Sequence, residues 1–370
     1  MSQDLAPMDT EVLDLTALEA EDSPENDRPR RQRKLSGDDL AAATLAAISG
    51  GAFAWVLRIL LGQHGIMGTA IWWYIGALVV FFLIIRDRTD SEGALDKIMT
   101  TLIWSAGVLV SALLVWMLSY LVFKGIPKIT ASFFSEDMSK VGPLTPGGGV
   151  KHALIGTIEQ VGLATIAVVP LAVLTAIYLN EIGGRLAKPA RFVIDAMSGL
   201  PSIIAGLLIY TIWVTYFGFS GIAGSMALLV LMLPTVTRAS EEILRTIPDS
   251  LREGALALGA PQWQLILRIV LPTAMAGLVT ATILGIARAV GETAPMLLTA
   301  FGSDSTNTNP FKGPQSDLPL FVWKLIRLPN ETSQARAWAG LLVLVMLVLI
   351  LFVTARYISG RSQKKLGRAS

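Results

Sequence analysis

The 370-residue sequence contains no cysteine. That excludes a disulfide framework, a thiol nucleophile and a thiolate metal site, and it leaves the redox compartment open. Histidine is almost as scarce: His64 and His152 are the only two and lie far apart in the chain, which argues against an imidazole metal site. Charge is thin as well. Charged residues make up 16% of the chain against 53% hydrophobic residues, which excludes an ordinary soluble domain. Also absent is the G-x-x-x-x-G-K-[ST] loop that cradles nucleotide phosphates, so the chain is not expected to hydrolyse ATP and is not read as an enzyme. The net charge of +2 says little, because the charges are segregated along the chain. No nucleic-acid partner is expected.

What is present is a series of long apolar runs, read as membrane helices, near residues 40–61, 68–86, 97–123, 153–180, 192–217, 221–238, 270–300 and 337–358. Residues 1–37 precede them with acidic residues from Asp4 to Asp27 and then a basic cluster, Arg28, Arg30, Arg31, Arg33 and Lys34. A secretory signal would start basic and turn apolar at once, so this stretch reads as a disordered cytoplasmic tail. Basic residues recur in alternate loops: Arg86, Arg88 and Lys97, then Arg185, Lys188 and Arg191, then Arg238, Arg245, Arg252 and Arg268. Arg356, Arg361, Lys364, Lys365 and Arg368 follow the last run. The positive-inside rule places all of these in the cytoplasm, together with both termini and a C-terminal tail over 359–370. Lys124, Lys128, Lys140 and Lys151 fall in an outer loop whose length weakens the rule.

Three segments break the pattern. GPLTPGGG at 142–149 is a turn-rich outer segment, read as a hinge, with the alternative that its N–H groups meet an oxyanion. Gly199-Leu200-Pro201-Ser202 interrupts the fifth run, as a kink that either lines a pathway or serves packing. LPLFVWKLI at 318–326 reads as an interfacial or re-entrant half-helix in a polar outer loop with Asp304, Asn307, Asn309, Lys312 and Asp317.

Two stretches carry the chemistry. From Arg238 to Pro272, Ile243, Leu244, Ile247, Leu251, Leu256 and Leu258 recur at mostly helical intervals among Glu241, Glu242, Arg245, Arg252 and Glu253. Gly259 stops this helix and Pro261 starts another with Trp263, Ile266 and Leu267, giving a corner in water at a membrane face. On pattern alone, a hairpin lying on lipid headgroups remains open. The second stretch is Ile286 to Thr293. Arg288 follows Pro272 by sixteen residues, about 24 Å of helix, which places it well inside the bilayer, where an arginine costs about 2.5–3.5 kcal/mol. Glu292, four residues on, is expected on the same face. Their pairing reads either as a locked ion pair or as part of a polar path beside the small residues Gly285, Ala287, Ala289 and Gly291.

The order Glu253-Gly254-Ala255, Gly259, then Ile269-Val270-Leu271-Pro272 resembles the EAA motif of ABC-importer permeases, with Gly254 in place of the first Ala of that name. With LPTVTRASEEILRTIPDSLREGALALGA and GIARAVGETAPMLLTAFG, roughly residues 95–358 resemble the A-type permease subunit of phosphate ABC importers, the PstA family. The resemblance implies an all-α polytopic membrane protein with the six-helix core of a type I (MetI-like) importer permease over 95–358, preceded by an added two-helix hairpin over 38–94. In that hairpin Arg58 is expected to snorkel to the headgroups.

The resemblance further implies a coupling loop, 239–268, and coupling residues Glu253, Gly254, Ala255, Gly259, Leu271 and Pro272 for a cytoplasmic ATPase homodimer. ATP and Mg would sit on that partner, with no cofactor or metal in this chain. The other implied partners are a homologous C-type permease, an extracytoplasmic phosphate-binding protein and phosphate itself, in the lipid bilayer of a bacterial plasma membrane. The implied substrate-pathway residues are Arg288, Glu292, Arg238 and Ser202. A guanidinium forks onto phosphate oxygens, and Glu292 would re-engage Arg288 once phosphate leaves. For Arg238, inside-positive anchoring stands as an equal alternative. The residues leave open a permease for another solute, a secondary transporter or channel, and a non-transporting membrane sensor.

Overall fold

The computed structural model describes residues 37–62, 65–88, 91–142 and 144–366. The tail expected before residue 37, His64, Pro143 and Arg368 lie outside the described residues. Seven helices are long and apolar enough to cross a membrane, or eight when Ala187–Ser198 and Ser202–Phe217 count as one bent span, in line with the eight apolar runs. The helices form two compact units, which part between Leu113 and Leu114, inside the third helix. The hairpin boundary read from the sequence lies at residue 94.

In the first unit, α1 (Gly37–Leu60) and α2 (Ile66–Arg88) pack as a hairpin, followed by the first part of α3 (Ser91–Gly125). Close approach is possible because Gly50 has no side chain: a Cβ there would fall 2.6 Å from the backbone of Ala77 and Trp73. The Trp73 indole N–H donates to the Ala47 carbonyl at 2.8 Å. Arg58 stacks over Trp55, 5.9 Å from the ring centre.

The second unit contains the rest of α3, the turn α4 (Ala131–Ser135), and α5 (Lys151–Ile177), which ends in a wider π turn. Next come α6 (Ala187–Ser198), α7 (Ser202–Ile209), α8 (Gly221–Arg245) and α9 (Asp249–Ala257). Then follow α10 (Leu271–Val290), α11 (Ala294–Thr299), α12 (Leu318–Ile326) and α13 (Glu331–Leu366). The core lies between α5, α8 and the end of α10, where Ala164, Val168 and Ala172 face Leu228, Met232, Val236 and Ala289. Small residues on α5 let α8 come close, so dispersion contacts replace a hydrophobic drive that lipid does not supply.

The kink expected in the fifth run is present: the helices on either side of Gly199–Pro201 meet at 107°, because proline removes a donor and its ring blocks a continuing helix. Two other sequence expectations change. The sixth run does not stop at 238. It continues as α8 to Arg245, so Ile243 and Leu244 belong to this helix and not to the short one after it. The seventh run stops at Val290, with Gly291 in a turn and Pro295 opening α11.

The segments around 142–149 and 315–326 are also built differently from a hinge over a surface. Arg336 is fully buried, and its guanidinium donates to the carbonyls of Gly147 (3.0 Å), Gly142 (3.5 Å) and Thr145. The Gly-rich segment therefore offers carbonyls to a cation, while its Gly148 N–H donates to the Glu136 carboxylate at 3.1 Å. Segment 315–318 enters the protein between α5 and α8. It fits because Gly156 and Gly221 are bare: a Cβ would lie 1.9 Å from the Ser316 carbonyl oxygen and 2.0 Å from the Gln315 side chain. The Gln315 amide donates to Glu159 at 2.5 Å and accepts from Gln160 at 2.9 Å, and the Leu318 N–H donates to the Thr157 hydroxyl at 2.8 Å. The half-helix expected at 318–326 is α12. It is packed inward, with Leu318, Leu320, Phe321 and Leu325 buried.

Asp317, expected on the outer surface, is 4% exposed and caps α12 by accepting the Leu320 N–H at 2.8 Å. Burial pushes its carboxyl up to about 7. Folded protein thus binds a proton at Asp317 that the unfolded chain releases near pH 4. The contribution of Asp317 to stability should therefore fall as pH rises from about 4 to 7, by about 1.4 kcal/mol per unit, and then level off. Asp317→Asn keeps the capping oxygen and should flatten that slope, as measured by thermal denaturation of the purified protein between pH 4 and 8.

Candidate functional site

The site has two parts, joined by the inner half of α8. At the membrane face, α9 is fastened from one side only. Arg252 donates to Glu181 at 2.8 Å, to Asp249 at 2.9 Å and to the carbonyls of Ile247 (2.7 Å) and Leu244 (2.9 Å). The Glu181 hydrogen bond, helped by its charge, raises the Arg252 pKa further above its ordinary value. Gln262 donates to the Glu181 carbonyl at 2.8 Å, so the strand-like corner after α9 is tied to the same carboxylate residue. A groove of about 640 Å³ opens beside this bolt, lined by Asn180, Glu181, Arg245, Arg252 and Gln262.

Ala255 is buried with Leu244, Ile247 and Val270, whereas Glu253 and Gly254 are exposed. Leu258 is 90% exposed, and Leu251, Leu256 and Trp263 are also open. The corner itself is Gly259, at φ 77°, a left-handed conformation that other residues adopt at a cost. Pro261 caps the turn that leads through Leu265–Val270 into α10. Leu271 and Pro272 are the first residues of α10 and belong to that helix, not to the corner.

The second part lies between the middle of α8 and the last turn of α10. α10 lies close to α8 because Gly277 and Gly285 face Ile243 and Val236, where a Cβ would come within 2.4 Å of each side chain. One turn past Gly285, Arg288 meets Thr235, with its guanidinium 3.5 Å from the hydroxyl. Thr235 lies fifteen residues from the cap Ser220 of α8 and ten from Arg245, about 22 Å and 15 Å of helix. Arg288 therefore sits near the middle of α8, in the last turn of α10, where the helix carbonyls favour a cation. Pro234 precedes Thr235 inside α8.

Glu292 is not on the same helix, since α10 has ended. It approaches Arg288 across the turn, with 3.8 Å between Nε and Oε1. The guanidinium is 63% exposed and the carboxylate 18%, so the arginine is only loosely held and open on one side. Arg238, one turn further along α8, is held firmly by Glu241 at 2.8 Å and by Asp195. Glu241 is 2% exposed and also meets Arg191 at 3.0 Å and Arg245 at 3.7 Å. Ser202 opens α7, which packs on α11 through Gly206 against Pro295, and it is not among the groups bonded to either arginine. Among the described residues, no cluster of three metal-type side chains occurs.

The sequence analysis missed Glu241 as a buried centre. The i, i+3 spacing to Arg238 was a signal for one of its contacts, but Arg191 lies fifty residues away in the chain. It also missed the Arg252–Glu181 bolt, for which no local signal exists.

A helical membrane chain with a broken span and a short helix between two spans has the architecture of an importer permease. Residues 168–364 match the family described as binding-protein-dependent transport system inner membrane component. The chain is 38% identical over 289 residues to phosphate transport system permease protein PstA 1 of Mycobacterium tuberculosis, covering 76% of this chain and 94% of that one. It is 39% identical over 253 residues to the PstA permease of Yersinia pestis, covering 68% and 85%. In fold it is similar to a chain of a bacterial alginate ABC transporter, with a TM-score of 0.53 at 15% identity, over 72% of this chain and 95% of that one. The fold is thus that of an ABC-importer permease. The chain belongs to the binding-protein-dependent transport permeases and, within them, to the PstA family of phosphate transport permeases.

The two glycines of the α9 corner should respond oppositely. A Cβ at Gly254 meets nothing within 4 Å, so Gly254→Ala should stabilise the helix by about 0.5–1 kcal/mol. Gly259→Ala should destabilise it by about 1–2 kcal/mol through its positive φ. Limited proteolysis at the corner, read as a shift in cleavage rate, checks both.

Proposed function

We propose that the chain is the A-type transmembrane subunit of an ATP-driven phosphate importer. Its partners are a homologous C-type permease, a cytoplasmic ATPase homodimer that carries ATP and Mg, and an extracytoplasmic phosphate-binding protein. The exposed leucines of α9 and the groove beside Arg252 suit a docking helix, in the helix-in-groove manner. Both termini and α9 lie in the cytoplasm of a bacterium, a placement supported by the basic residues that flank the same side of the spans.

The observation that carries the reading is Arg288: a half-free guanidinium at mid-depth, beside an unwound turn, in a chain of the PstA family. Irregular backbone at that depth is tolerated where it lines a cavity or packs in protein. Arg288 meets the anion there, and its fork geometry suits two phosphate oxygens. Glu292 takes the guanidinium back when the anion leaves. Closure of the ATPases on ATP moves α9, and through Arg252 and the inner half of α8 that motion reaches the arginines. Hydrolysis then resets the path.

Arg288→Gln should lower phosphate uptake by roughly 10- to 100-fold, the loss expected when a charge-assisted hydrogen bond becomes a neutral one. Assembly should survive, because the side chain is largely exposed. Labelled phosphate uptake together with co-purification of the ATPase checks this, and normal uptake by the variant would refute the reading.

A further inference from the structure

Arg288 and Arg238 are held very differently, and the difference lies in the carboxylates. Thr235, Arg238, Glu241 and Arg245 follow one another at three- and four-residue steps, so they share one stripe of α8. Arg238 lies three residues from the Arg288 contact at Thr235, about 4.5 Å along the helix. Arg288 has one long ion pair. Arg238 has two carboxylates, one from its own helix and one from α6.

The two carboxylates are not equivalent. Glu241 is buried and shared by Arg191, Arg238 and Arg245; removing it would strand three cations at once. Asp195 is 54% exposed and is paired with Arg238. It sits one turn before Gly199–Pro201, where the chain bends by 107°. Three guanidiniums face two carboxylates in this cluster. Moving α6 away withdraws Asp195 together with Arg191 and leaves Arg238 and Arg245 facing Glu241 alone, and Arg238 then has donors to spare.

We propose that Asp195 is a gate carboxylate: it occupies the anion position on Arg238, and a swing of α6 about Gly199–Pro201 vacates that position so that phosphate passes from Arg288 to Arg238. The carboxylate and the phosphate compete for the same guanidinium, so the inner step opens only when α6 moves. Arg191, farther from the hinge on the same helix, moves with Asp195, so Arg238 and Arg245 are left to share Glu241. The proposal rests on the reading of Arg288 and Arg238 as anion stations; Asp195 acts through Arg238 and is a positioning residue.

The test uses the assembled complex of both permeases and the ATPase dimer, reconstituted in liposomes loaded with labelled phosphate and glucose, without ATP. Asp195→Asn should speed passive phosphate efflux about fivefold, the factor for losing one half-exposed ion pair, and leave glucose retained. Asp195→Glu should restore the low efflux. Unchanged phosphate efflux in Asp195→Asn, with uptake still lost in Arg288→Gln, would overturn the gate and leave the importer reading intact. Equal leakage of phosphate and glucose would also overturn it, since that is loosened packing and not an anion gate. Normal uptake by Arg288→Gln would overturn the underlying reading and the gate with it.

Discussion

A carboxylate shut away from water, that of Glu241, dictates how the inner half of the protein is put together. Desolvating such a group costs several kcal/mol unless cations and hydrogen bonds surround it. Arg191, Arg238 and Arg245 do so. Because Arg191 comes from α6 and the others from α8, the requirement fixes where α6 runs, and hence where the chain must turn back at Gly199–Pro201. The same reasoning applies one step outward at Glu181, 4% exposed, to which Arg252 brings α9. The α9 corner and the α6–α8 contact are thus each held by charges and not only by apolar contacts.

The second constraint is the backbone. Within a bilayer an unwound segment needs protein or a wet cavity for its polar groups. The break at Gly199–Pro201 and the turn at 291–293 lead into α7 and α11, and these two short helices lean on each other where Gly206 meets Pro295. The two interruptions therefore belong to one wall. Outside them, segment 315–318 and the carbonyl cage around Arg336 fill the outer end, so the loops there are packed structure with buried polar partners.

Much of the fold was legible in the sequence because it is local. The apolar runs, the Gly259–Pro261 corner and the half-helix at 318–326 depend on residues within a turn or two of one another. What was illegible depends on distance in the chain. Nothing near Glu241 announces Arg191, and nothing in GPLTPGGG announces that Arg336, about 190 residues later, will need its carbonyls. Helix ends were misplaced where tertiary contacts override the pattern. Leu244 lies in a charged stretch yet is wholly buried, so α8 runs on past Arg238, while Gly291 and Pro295 stop α10 in the middle of an apolar run. The arginines were visible as costly residues; their unequal grip on carboxylates was not.

Pro234 lies inside α8, one residue before the threonine that meets Arg288. A proline has no N–H for the carbonyl four residues earlier, here Val230, and its ring pushes that turn open. The long helix is thereby a jointed rod, with its soft link at the height of the guanidinium. A pull on its C-terminal half is taken up as flexure beside Arg288, while the N-terminal half stays anchored by the N–H groups of Ser220 and Ile222 to the carbonyls of Thr299 and Pro310.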